Sequence, residues 1–220
     1  SYKSFKNREK FIITNDIKTQ DNSLKVSNKK FFKEDIIKNN VEQNQDKRFT
    51  SSYNKSNQVI IFLGNQTCSR LSIEHLPLKL LESYLSFGMS SALFKYFREK
   101  HGMTYEVGVF NPIRRENAPF LVYLSVSKEN AVIAFELLCK LWQELLNTLI
   151  PLKELDLAKK KLKSSFLFEN QSLDEILHRK IQLISYGMYP CMDEHYFKHI
   201  QGISPKDIKN LTSKYFSQPY

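Results

Sequence analysis

The spacing of apolar residues is most regular in the second half of the chain, where it predicts a run of helices. One stripe at spacings of three and four residues marks a long helix, and its members are Ala131, Phe135, Leu138, Trp142, Leu145 and Leu149. A second helix opens at Pro151, and its inward positions are Leu155, Leu162 and Phe166. We expect the basic residues of this helix to face mostly outward, namely Lys159, Lys160, Lys161 and Lys163.

Two further helix starts are marked by capping residues. Ser172 and Glu175 form a capping box ahead of an apolar set that consists of Ile176, Leu177, Ile181 and Ile184. Ser204 has Asp207 three positions later and Pro205 at the first helical position, which predicts the start of a last helix.

The first half of the packed region alternates between strand and helix patterns. Residues 58–63 are an uninterrupted apolar run of strand length, and residues 103–110 and 119–126 are β-rich runs separated by a polar loop. Between them, residues 76–86 and 89–100 suit helices, and Gly102 ends the second one because glycine readily takes the left-handed conformation.

Strands followed by a run of helices predict an α+β fold, with a mainly antiparallel sheet and helices packed on one face. Residues 1–56 show little periodicity, and we interpret them as a linker or irregular N-terminal extension with one or two short elements. The predicted packed domain comprises residues 57–220.

The net charge of +10 raises the possibility of a nucleic-acid partner. Residues 1–50 carry 12 Lys+Arg against 7 Asp+Glu, so half of the excess lies in the N-terminal extension. No basic groove interleaved with aromatic residues accompanies the charge, and we rank nucleic-acid binding last among the functional classes.

The cysteine content and the apolar runs give limited information about the cellular compartment. The cysteines at positions 68, 139 and 191 are widely spaced and odd in number, which predicts reduced thiols. The sequence has no apolar run near the roughly 18 residues of a membrane span and no signal-peptide core. We therefore expect a soluble protein of a cytoplasmic or organellar compartment.

Two histidines in one segment imitate a metal site. His195 and His199 are four residues apart, so on a helix they would share a face, as two metal ligands do. In a zinc peptidase motif of this spacing, a glutamate next to the second histidine acts as the base that activates the zinc-bound water. Lys198 occupies that position here, and its positive charge would repel a metal. We interpret both histidines as solvated residues of a helix surface.

A second imitation is an inverted zinc motif that ends in Glu74 and His75. Leu71 stands where the first histidine of H-x-x-E-H would be, and leucine cannot bind a metal. We expect Glu74 to favour the dipole of the helix that follows, and we predict no metal site in this chain.

The stretch "LSFGMSSALFKYFREKHGMTYEVG", residues 85–108, resembles the C-terminal half-domain of the pitrilysin/insulinase family of zinc metallopeptidases, which includes mitochondrial processing peptidase. The family pattern is L-G-G-G-M-S-S-R-L-F-x-x-L-R-E-K-R-G-L-A-Y-x-V. The matching positions are Leu85, Gly88, Met89, Ser90, Ser91, Leu93, Phe94, Arg98, Glu99, Lys100, Gly102, Tyr105 and Val107. A weaker resemblance extends over about residues 57–218.

This resemblance implies a peptidase built as a clamshell or dimer of two halves, each made of α/β roll domains. Zinc is held on the other half by H-x-x-E-H, so this chain alone binds no cofactor and is expected to be inactive. The metal-free half contributes an arginine and a tyrosine that reach the substrate and the scissile carbonyl, at positions matched here by Arg98 and Tyr105. The family's domain continues into a further strand, so we expect the natural chain to extend beyond Tyr220.

The chain's own pattern is compatible with those roles. Arg98 falls in the last turn of a predicted helix, Gly102 reverses the chain, and Tyr105 opens the next strand, so both side chains can project from one edge. The resemblance also implies that the loop of Gly88, Met89, Ser90 and Ser91 holds extended peptide.

Departures from the family pattern keep an alternative open. Ser86 and Phe87 replace glycines of that loop, and Ala92 replaces the arginine that follows the two serines. The alternative is a catalytically inactive paralogue that serves as a structural or peptide-binding subunit.

Overall fold

The computed structural model describes residues 10–14, 49–53, 56–169, 171–187 and 198–217. The predictions for Cys191 and His195 fall outside these ranges.

A five-stranded sheet in the order β2-β1-β3-β5-β4 forms one layer of the fold. Its strands are β1 (Lys10–Thr14), β2 (Phe49–Tyr53), β3 (Gln58–Gln66), β4 (Thr104–Phe110) and β5 (Pro119–Ser127). The pairs β1–β3, β3–β5 and β4–β5 are antiparallel, and β1–β2 is parallel. β1 and β2 lie within residues 1–56, the segment interpreted as an extension with short elements, and β1 attaches that segment to β3.

Helices make up the second layer. They are α1 (His75–Ser86), a π-helix (Phe94–Lys100), α2 (Ala131–Asn147), α3 (Leu152–Phe168), α4 (Leu173–Ser185) and α5 (Pro205–Phe216). The predicted capping box at the start of α4 is present, and the predicted N-cap Ser204 forms a second capping box with Asp207 at the start of α5. The predicted α+β fold with a mainly antiparallel sheet is confirmed.

The core lies between one face of the sheet and the helices. Alternate residues of β3 and β5 are fully buried on that face: Val59, Ile61, Leu63, Phe120, Val122, Leu124 and Val126. Phe216 of α5 packs between Phe120 and Trp142, with ring centroids 5.4 and 4.7 Å apart. This aromatic cluster joins α5 and α2 to the sheet.

Lys159 of α3 corrects the sequence prediction, because it is buried and does not face outward. Its ammonium donates a hydrogen bond to the carbonyl oxygen of Gln201 at 3.2 Å and lies 3.8 Å from the carboxylate of Asp156. A lysine can be buried where its charged group retains polar partners, and here the turn before α5 supplies one. Periodicity along α3 alone carries no information about that turn.

The apolar residues of α4 are mostly at the surface. Leu183 is the one buried residue of this helix. More than half of the side chain is exposed at each of Leu173, Leu177, Ile181 and Ile184. The regular apolar spacing in this helix therefore marks a surface stripe within the described part of the chain.

The aromatic cluster predicts a large effect of a single substitution. Phe216→Ala removes a fully buried ring and should lower the free energy of unfolding by about 3–5 kcal/mol. Urea unfolding followed by circular dichroism measures this change. Phe168→Ala is the matched control, since that ring is 69% exposed and its loss should cost less than about 1 kcal/mol. Equal losses in the two variants would contradict the assigned core.

Candidate active-site surface

Arg98 lies in the last turn of the π-helix, with its side chain exposed. Its guanidinium lies over the ring of Phe94, 5.1 Å from the ring centroid, an arrangement that keeps the cation near its own helix. Among the described residues, no hydrogen bond or salt bridge engages this guanidinium. Its donors are therefore available to a group that approaches from outside.

The chain reverses direction directly after the π-helix, at Gly102. This glycine has φ of +60°, the left-handed region that other residues rarely adopt. Its N–H donates to the carbonyl oxygen of Arg98 at 3.2 Å, and the N–H of Met103 donates to that of Phe97 at 3.0 Å. The predicted reversal at Gly102 is confirmed, and it leads the chain straight into β4.

A β-bulge at the start of β4 sets the direction of Tyr105. Thr104 lies opposite Val126, and Glu106 lies opposite the next residue, Ser125, so Tyr105 is the extra residue between two paired positions. Bulges of this kind redirect a side chain and occur often next to active sites. Tyr105 is 71% exposed.

Sequence reasoning did not detect the bulge. Strict alternation counted back from the inward-facing Val109 and Val107 would direct Tyr105 into the core. Partners on the same face of a sheet lie opposite each other, so Thr104 shares the inward face with Val126 while Glu106 shares the outer face with Ser125. The extra residue at Tyr105 is what makes this change of face possible.

Tyr105 lines an open pocket of about 500 Å³ where β3 begins and β5 ends. The other lining residues are Asn57, Gln58, Ser127, Lys128 and Glu129. Hydrogen bonds from its own backbone N–H and from Ser127 lower the pKa of Glu129, so its carboxylate stays charged beside Lys128. These neighbours come from strand ends that are distant in sequence, and only the sheet topology brings them to Tyr105.

The predicted substrate loop lies mostly at the surface. Gly88 has φ of +72°, and Gly88, Met89 and Ser90 are exposed. Ser91 is only 2% exposed, and its N–H donates to the carbonyl oxygen of Gly88 at 3.1 Å. Any direct contact with a peptide thus falls to the first three residues of the loop, and Ser91 holds the loop from beneath.

Ser90 and Tyr105 line different pockets. Ser90 opens into a cleft of about 280 Å³ between helices, which is also lined by Lys95, Lys100 and Lys161. Burial, reinforced by the nearby charge of Lys95, lowers the pKa of Lys161. The structure therefore brings Tyr105 together with Gln58 and Lys128, while the predicted substrate loop borders a separate cleft that Glu144 and Glu154 line together with the lysines.

The region that imitates an inverted zinc motif has a different chemistry. Glu74 is the N-cap of α1, and its carboxylate accepts hydrogen bonds from Lys214 at 2.6 and 2.8 Å and from Tyr215 at 2.5 Å. The bond from Lys214, then that from Tyr215, lowers the pKa of Glu74. A lysine ammonium is thus the cation that this carboxylate binds.

His75, the other half of that motif, is 3% exposed. Burial, with smaller contributions from Arg70 and Lys79, lowers the pKa of its imidazole to about 3. His199 of the other imitation is exposed, and its partner His195 lies outside the described residues. In the described ranges, no group of three or more His, Cys, Asp or Glu side chains is arranged to hold a metal ion.

Comparison with known proteins assigns the chain to a family. The family model for the peptidase M16 inactive domain matches residues 10–162. The chain belongs to this family. The resemblance carried by residues 85–108 is thereby confirmed, and the chain is an M16 inactive domain of the kind found in zinc protease-like proteins.

Relatives of this M16 domain include two rickettsial proteins described as uncharacterized zinc proteases. The one from Rickettsia felis is 26% identical over 165 residues, which cover 73% of this chain and 39% of that protein. The one from Rickettsia bellii is 34% identical over 73 residues, 33% of this chain and 18% of the relative. The chain thus spans about two fifths of the length of the first relative.

Solved structures share the fold. A peptidase M16 inactive domain from Pseudomonas fluorescens superposes with a TM-score of 0.66 at 23% identity, over 73% of this chain and 39% of that one. A protease from Helicobacter pylori gives a TM-score of 0.64 at 17% identity, over 72% of this chain and 38% of that one.

In the part of the chain that the structure describes, no helix combines the length and apolarity needed to cross a membrane.

The buried His75 of this M16 domain predicts a specific dependence of stability on pH. Its folded-state pKa of about 3 lies below the ordinary 6.5, so the unfolded chain binds a proton first as the pH falls. Stability from this group is complete above pH 6.5 and declines toward pH 3, with a slope of at most about 1.4 kcal/mol per pH unit.

Urea unfolding of wild type and His75→Gln between pH 7 and pH 5 tests this dependence. In His75→Gln, the free energy of unfolding should fall less steeply with decreasing pH than in wild type, because most of the slope that one proton contributes is lost. This difference in slope does not depend on the absolute stability of the variant. His199→Gln, at an exposed position, should keep the wild-type profile. Parallel profiles for wild type and His75→Gln would show that His75 is not the group responsible.

Proposed function

We propose that this M16 inactive domain binds extended peptide and completes the active site of a zinc-bearing domain, to which it supplies Arg98 and Tyr105. The observation that carries the proposal is the bulge in β4, which directs the phenol of Tyr105 out of the sheet beside an open pocket. The zinc-bearing domain would lie on the same polypeptide or on a partner subunit. Most of the Rickettsia felis relative lies outside the matched region, which leaves room for such a domain in proteins of that length.

Tyr105 has the chemistry of an oxyanion donor. A phenol is a neutral donor of one hydrogen bond, suited to negative charge that develops on the carbonyl oxygen of a scissile peptide. In the partner domain, zinc would supply the activated water that attacks this carbonyl. One preorganised donor of this kind is worth on the order of 10² to 10³ in rate.

Arg98 has the chemistry of a positioning group for substrate. Its guanidinium is a planar set of donors that matches a peptide carbonyl or a carboxylate, and it is exposed on the helix that precedes Tyr105. Because Gly102 connects the two elements by a tight reversal, both side chains belong to one short segment. Movement of that segment would displace the two together.

The surface loop of Gly88, Met89 and Ser90 is the proposed contact for the extended peptide, with Ser91 beneath it. The exposed backbone at Gly88 can approach another chain closely, since this residue has no side chain.

A second candidate function is that of a structural or peptide-binding subunit without catalysis. The observation that favours it is the exposed apolar stripe of α4, since contiguous apolar surface often marks a protein interface. This function needs neither Arg98 nor Tyr105. The two candidates therefore differ in what substitution of those residues does.

Peptide cleavage by the assembled peptidase decides between them. Wild type, Arg98→Ala and Tyr105→Phe are each combined with the zinc-bearing half of the same system, or prepared in the full-length protein where both halves are one chain. Tyr105→Phe should lower kcat by about 10²-fold or more with little change in KM, because the hydroxyl acts only in the transition state. Arg98→Ala should both lower kcat and raise KM, since the guanidinium of Arg98 also positions the substrate.

Arg115→Ala is the matched control, because Arg115 is an exposed arginine in the loop between β4 and β5. It should leave kcat and KM within about twofold of wild type. Full activity of both Arg98→Ala and Tyr105→Phe, or no cleavage by any assembly, would favour the subunit function.

A further inference from the structure

Thr104 is the buried residue that precedes Tyr105, and its hydroxyl lies at the bulge. The hydroxyl oxygen is 2.6 Å from the carbonyl oxygen of Glu106 and 2.9 Å from that of Ser125. The carbonyl of Glu106 lies in β4 beyond the extra residue, and the carbonyl of Ser125 lies in the partner strand β5. The threonine is 8% exposed, so solvent contributes little to these contacts.

A bulge interrupts the regular pairing of backbone groups between two strands. An extra residue disrupts the ladder locally, and a buried carbonyl without a donor is costly. Thr104 is the first paired residue on one side of the extra position, and Glu106 is the first on the other. The hydroxyl of Thr104 has one proton, which the two carbonyl oxygens share, and it therefore connects Glu106 on the far side of the extra residue with Ser125 of β5.

The contacts extend to the pocket beside Tyr105. Ser125 accepts from Thr104 through its carbonyl oxygen, and its own hydroxyl lies 3.2 Å from the side-chain oxygen of Gln58. Gln58 lines the same pocket as Tyr105. Hydrogen bonds of the Thr104 and Ser125 side chains thus connect the bulge, the end of β5 and the start of β3, where Gln58 lines the pocket of Tyr105.

We propose that Thr104 is a positioning residue for Tyr105: its hydroxyl bridges the carbonyl oxygens of Glu106 and Ser125, holds the bulge closed and fixes the direction of the phenol. This role deepens the proposed function and rests on it as far as catalysis is concerned. Thr104 touches neither substrate nor reacting atoms and acts through Tyr105 alone.

The chain offers a matched pair of substitutions. Thr104→Val keeps the shape of the side chain and removes the hydroxyl, and Thr104→Ser keeps the hydroxyl and removes the methyl group. In the assembled peptidase, Thr104→Val should lower kcat roughly tenfold or more with KM within about twofold, since small misplacements of a catalytic group are costly. Thr104→Ser should restore kcat to within about threefold of wild type.

The double variant Thr104→Val with Tyr105→Phe distinguishes positioning from general damage. A residue that acts through Tyr105 adds nothing once the phenol hydroxyl is absent, so the double variant should match Tyr105→Phe alone. Losses that multiply in the double variant, or wild-type kcat in Thr104→Val, would overturn the proposal.

A second readout separates this inference from the proposed function. Fluorine NMR of the protein carrying 3-fluorotyrosine, with the signal of residue 105 assigned from Tyr105→Phe, reports the surroundings of the phenol without any activity. Thr104→Val should shift or broaden that signal, and Thr104→Ser should leave it close to wild type.

If Tyr105→Phe cleaves peptide normally, the proposed function fails, and the fluorine signal alone decides the role of Thr104. An unchanged signal in Thr104→Val overturns the positioning role, even where Tyr105 proves catalytic.

Discussion

The nine-residue antiparallel register between β3 and β5 is the constraint on which the rest of the domain depends. It pairs Gln58 with Ser127 at one end and Gln66 with Pro119 at the other. Because side chains alternate between the two faces, a slip of one residue would move the whole buried set of the slipped strand to the opposite face. The helices pack on that buried set, and β4 takes its register from β5. The pairing of β3 with β5 therefore determines where Tyr105 lies, although Tyr105 belongs to neither strand.

Apolar periodicity predicted the elements well because each depends on its own sequence. The strands at β3 and β5, the long α2 and the capping boxes of α4 and α5 have local causes. Properties that depend on a neighbouring element were not predictable in this way. Lys159 is buried because a distant turn offers it a carbonyl, and α4 carries an apolar stripe on a face that the described residues leave exposed.

The candidate site shows the same division. Arg98 and Tyr105 are candidates because of the family resemblance of one contiguous block, and the reversal at Gly102 was predicted from its local chemistry. The bulge was missed since it is a property of two strands, and no pattern within β4 requires an extra residue. Gln58, Lys128 and Thr104 were missed for that reason too. Gln58 and Lys128 lie beside Tyr105 because the sheet topology brings the strand ends together there, and Thr104 contacts Ser125 across the β4–β5 pairing.

The small buried area of α4 has a consequence for the motions of the domain. The single buried side chain of this helix, Leu183, lies outside the main hydrophobic cluster, whereas α1 buries eight residues. Tyr186 adds a hydrogen bond to the carbonyl oxygen of Ile113 just beyond the helix end. The free energy of local opening follows the buried contacts that must be broken. We therefore expect backbone amides of α4 to exchange with solvent through opening events that leave the sheet intact, and those of α1 to exchange when the core itself opens.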